Sequence, residues 1–65
     1  MSTKTQAALK AAYSKEVGRL YRTFAEALLL AGDDEQAVAA AETRFATGLN
    51  VAGKALERAL AIAGD

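Results

Sequence analysis

Ala31-Gly32-Asp33-Asp34-Glu35-Gln36 is the stretch on which the fold turns. Glycine closes a helix most readily, because without a Cβ it enters the left-handed region at no steric cost, and Gly32 stands where such a closure is needed. Asp33 followed three residues later by Gln36 has the pattern of an N-terminal capping box. Asp34 and Glu35 then place negative charge at the positive end of the helix that begins there. One helix stops and another starts within a few residues. On both sides of this break there is no proline, and 17 of the 65 residues are alanine, the strongest helix former. Thr3 with Gln6 offers a first capping box, and Gly64 a closing C-terminal cap. The chain therefore reads as all-α and as one unit over residues 1–65: helix one over about 4–31, a turn at 32–33, and helix two over about 34–63. So short a connection folds the second helix back on the first as an antiparallel hairpin.

Placing successive residues 100° apart gives each helix an apolar face. On helix one it holds Leu9, Tyr13, Val17, Leu20, Tyr21, Phe24, Ala27, Leu28 and Ala31. On helix two it holds Val38, Ala41, Phe45, Leu49, Ala52, Leu56, Ala59, Leu60 and Ala63. Stripes this wide suit helices that share a core with more than one neighbour. Leu29, Leu30, Val51 and Ile62 fall outside both stripes and leave apolar surface for a further contact. Ala41, Gly48, Ala52, Ala55 and Ala59 form an edge of small residues along which another helix can approach closely, with Gly48 and Ala52 at the closest point.

A chain of 65 residues has too much surface for its volume to enclose a sizeable core. Small chains compensate with staples or partners. Cysteine and histidine are both absent, so neither a disulfide nor a thiolate or imidazole metal site can serve. Association remains. The sequence points to a homo-oligomer, a dimer in the first instance, in which two hairpins make a four-helix bundle. The expected interface residues are Leu9, Tyr13, Val17, Leu20, Phe24, Leu28, Phe45, Gly48, Leu49, Ala52, Leu56 and Leu60.

Charge adds to this picture. Eight basic and eight acidic residues cancel, so no global field draws the chain to nucleic acid or anionic lipid. Residues 1–31 nevertheless carry five basic and two acidic side chains, and the remainder three and six. Opposite balances favour the two halves lying side by side. The polar start Met1-Ser2-Thr3-Lys4-Thr5 does not read as a secretory leader, which makes the cytoplasm the expected location. No uninterrupted apolar run exceeds Ala27 to Ala31, far short of the roughly 20 residues of a spanning helix, so no membrane insertion is expected.

Catalytic chemistry has little to work with. Asp33-Asp34-Glu35 lacks the ligand spacing of a calcium loop and is explained by helix capping. Glu42, at the edge of the apolar stripe, is expected to be partly buried and paired with an arginine. Ser14, Thr23, Thr43 and Thr47 have no histidine to activate them, and no cofactor motif is present. The strongest candidate for a binding feature is the basic stripe Lys4, Lys15, Arg19 and Arg22 on helix one, which could contact a phosphate backbone. Pairing of Glu16 with Arg19 and of Arg22 with Glu26 at helical spacing competes with that role.

The stretch Asp34-Glu35-Gln36-Ala37 resembles the turn of the Rop family of plasmid copy-number regulators, hairpins that dimerise into four-helix bundles and bind paired RNA loops. The resemblance implies the bundle architecture. It does not carry the RNA chemistry, because Thr5, Ala12, Glu16, Leu20 and Ala27 stand where the family has its recognition side chains. The functional expectation is a non-enzymatic scaffold, adaptor or structural subunit. A small nucleic-acid-binding regulator and a subunit of a helical filament or secretion assembly are the alternatives.

Overall fold

The computed structural model describes residues 3–64, which form two α-helices of equal length. Helix α1 spans Thr3–Ala31 and α2 spans Glu35–Ala63, 29 residues each. A helix of that length is about 43 Å long at 1.5 Å per residue. The Cα trace measures 48 × 15 × 7 Å, so the hairpin is two helices wide and one helix thick.

The turn is built as a closure followed at once by a new cap. Gly32 has φ 55°, and its N–H donates to the Leu28 carbonyl at 3.2 Å, which ends α1 in the left-handed manner. Asp34 N–H donates to the Ala31 carbonyl at 3.0 Å. Asp34, with an extended backbone, then caps α2: its Oδ1 accepts from the N–H groups of Gln36 at 3.0 Å and Ala37 at 3.2 Å. The spacing had singled out Asp33 with Gln36, and here the structure differs by one residue. Gly32 and Asp33 are both needed to reverse the chain, so the first carboxylate that can face the new helix belongs to Asp34. Its third helical position is Ala37, which has no side chain to return the bond, and the reciprocal half of a capping box is missing.

The outer ends depart from expectation as well. Thr3 lies within the first turn of α1 instead of preceding it. Met1 and Ser2, which begin the segment read as lacking a leader, and Asp65 lie outside the described residues. Gly64 ends α2 with φ −69° and ψ −19°, a right-handed conformation, so α2 ends without the left-handed turn that closes α1.

Along the seam, Phe24 and Phe45 stack with ring centroids 4.6 Å apart and planes 9° from parallel. Gly48 faces Leu20 so closely that a Cβ on the glycine would stand 2.6 Å from Leu20 Cδ2. Ala41, at 2% exposure, is the one fully buried residue among those described. The two phenylalanines are half-buried. A single helix neighbour covers only the middle of a wide apolar stripe, and the margins stay open. Tyr21, which projection groups with the stripe, is 62% exposed for this reason.

Candidate association surface

Two shallow clefts run along one side of the seam. The first, about 220 Å³, lies toward the open end and is lined by Leu9, Ala12, Tyr13 and Glu16 of α1 and by Ala52, Ala55, Leu56 and Ala59 of α2. The second, about 140 Å³, lies toward the turn between Leu20, Thr23, Phe24 and Ala27 and the facing Ala41, Arg44 and Phe45. The lining positions advance by three and four residues on each helix, so both clefts belong to one groove on one side of the hairpin. Between them Leu20 lies over Gly48 and pinches the groove in two. Small side chains on α2 make the clefts: Ala52, Ala55 and Ala59 leave space that larger residues would fill.

All twelve residues expected at an interface are half-buried. Leu9, Tyr13, Ala52 and Leu56 wall the first cleft, and Leu20, Phe24 and Phe45 the second. Val17, Leu28, Leu49 and Leu60 line neither cleft and project to the opposite side of the seam. Four large apolar residues outside the stripes are exposed: Leu29 at 81%, Leu30 at 87%, Val51 at 60% and Ile62 at 86%.

The polar residues fall into two groups. Glu16 and Arg19 make a two-pronged ion pair, Nη2 to Oε2 at 2.6 Å and Nε to Oε1 at 3.0 Å. Its hydrogen bonds hold the Glu16 carboxyl below the ordinary carboxylate range, and they hold Arg19 protonated more firmly than usual. Lys4, Lys15, Arg19 and Arg22 are all exposed along α1. They do not act as four equal cations, because Arg19 is neutralised by Glu16 and Arg22 lies back toward Gly18, within 3.6 Å of where a Cβ would stand there. The expected Arg22–Glu26 pair is not formed. Glu42 is exposed and makes no ion pair, contrary to the reading of a half-buried, paired carboxylate. It sits just beyond the width that one neighbouring helix covers.

Among the described residues, no three acidic groups come together as metal ligands would, and no helix is long and apolar enough to cross a membrane. Sequence reading did not single out Arg44 as a cleft residue, although its place three residues after Ala41 and four before Gly48 puts it on the same edge. Fold and surface together define a two-helix, all-α hairpin with an open groove. No protein-family profile matches the chain, and neither a curated protein nor a solved structure shows significant similarity to it.

Proposed function

We propose that this chain is a self-associating helical hairpin, two copies of which pack into a four-helix bundle that serves as a scaffold, adaptor or structural subunit and not as an enzyme. The observation that carries this reading is the area left uncovered. A compact monomer of 6.8 kDa is expected to expose roughly 4000 Å². The hairpin exposes 4946 Å². The surplus, on the order of 1000 Å², is close to the ~800 Å² that each partner buries in a protein interface of standard size. Shape agrees: the radius of gyration is 15.0 Å, against about 11 Å for a compact domain of this length.

A bundle core also gives the wide apolar stripes the second neighbour that the hairpin alone lacks. Light scattering coupled to size exclusion tests the proposal, with a mass twice the chain's 6.8 kDa expected. A mass equal to one chain at millimolar concentration would remove it, and a ladder of growing masses would favour an open filament over a closed dimer.

A further inference from the structure

Resting on that reading, we infer which side of the hairpin associates and in what register: two copies pack groove to groove about a two-fold axis crossing the seam at Leu20 and Gly48, so that Glu16 of each meets the partner's Arg44. Glu16 is the one charged residue lining the first cleft and Arg44 the one lining the second. Glu16 precedes Leu20 by four residues, and Arg44 precedes Gly48 by four. Because the helices run in opposite directions, the two charges flank the pinch on opposite sides, each about 6 Å from it along the axis. A two-fold axis through the pinch, perpendicular to the helices, exchanges the two ends of the groove. It brings acid level with base at two symmetric places. Glu16 retains lone pairs for a second guanidinium beside Arg19, since a carboxylate has about four acceptor sites.

The same axis accounts for residues that played no part in locating it. It sets α1 antiparallel to the partner's α1 about Leu20, which brings Lys15 level with the partner's Glu26. Among the described residues, Lys15, Glu26 and Arg44 form no ion pair within the hairpin. Leu30, 87% exposed, comes level with the partner's Leu9 and Ala12, two walls of the first cleft. Arg19 and the partner's Arg22 also come level, a like-charged approach that Glu16 beside Arg19 offsets only in part and that the turn of Arg22 back toward Gly18 lessens. The opposite side of the hairpin lacks this complementarity. There α2 projects Glu35, Glu42 and Glu57, and α1 offers Lys10 as the matching base.

Charge exchange tests the register. Glu16→Arg and Arg44→Glu, made singly, each place like charges at both symmetric contacts and are expected to raise the dimer dissociation constant at least about tenfold. Mixed in equal amounts, the two variants regain opposite charges at both contacts, so heterodimers should dominate in native mass spectra. Lys15→Glu and Glu26→Lys repeat the design with residues unpaired in the hairpin, and helicity by circular dichroism at concentrations far above the dissociation constant confirms that each variant folds. A wild-type dimer whose affinity none of the four changes alters, with variants that mix at random, would overturn the register while leaving self-association intact. A wild-type chain that stays monomeric would overturn both.

Discussion

Gly48 and Gly53 are both mid-helix glycines, and the structure assigns them opposite roles. A Cβ at Gly48 would collide with Leu20, whereas nothing stands within 4 Å of one at Gly53. Gly53→Ala should therefore stabilise by about 0.5–1 kcal/mol, the ordinary gain from replacing glycine within a helix. Gly48→Leu should lose about 1–3 kcal/mol through overpacking despite the same gain in propensity. Thermal melts of the two variants check this, and equal stabilisation by both would mean that the seam at Leu20 is loose. Glu16 offers a second measurement at this scale. Its folded pKa is lowered by the Arg19 hydrogen bonds, so the pair stabilises the folded chain above the ordinary carboxylate pKa and is lost as pH falls through the lowered value. In an NMR titration Glu16 should protonate below the ordinary carboxylate range, and Arg19→Ala should return it to that range. A Glu16 midpoint unmoved by that change would show that the pair does not persist in solution.

At the scale of elements, the turn is where sequence and structure agree in kind and differ by a residue. Glycine closure and aspartate capping were legible because each is a local backbone requirement met by one residue type. Which of two adjacent aspartates does the capping was not, since it depends on how many residues the chain takes to reverse. Asp34→Ala should cost about 1 kcal/mol and Asp33→Ala much less. A denaturant series on both variants separates them, and the reverse order would move the cap to Asp33. The apolar faces were legible from periodicity for the same local reason. Tyr21 and Glu42 were misplaced because periodicity reports direction around a helix, whereas burial depends on the width of the neighbour. Phe24 and Phe45 are half-buried in the hairpin, so in thermal melts Phe24→Ala and Phe45→Ala should cost near the low end of the range for buried phenylalanine, about 3 kcal/mol.

For the whole molecule, two helices make a plate one helix thick, and a plate has no interior. Among the described residues the one buried side chain is that of an alanine, so the hairpin by itself supplies little of the hydrophobic contribution usual for a folded domain. The groove was only half legible in the sequence. The small residues that make it were visible as an edge on helix two, but Glu16 and Arg44 acquire their places on either side of the pinch only when the helices are set in register. Stability should consequently be linked to concentration. The most direct measurement is the melting temperature by circular dichroism across a hundredfold dilution. If folding and association are coupled, with an unfolding enthalpy of roughly 90 kcal/mol for the pair of chains, the melting temperature should fall by about 10 °C over that range. A melting temperature that stays constant across the dilution, with helicity retained, would contradict the claim that the hairpin depends on a partner.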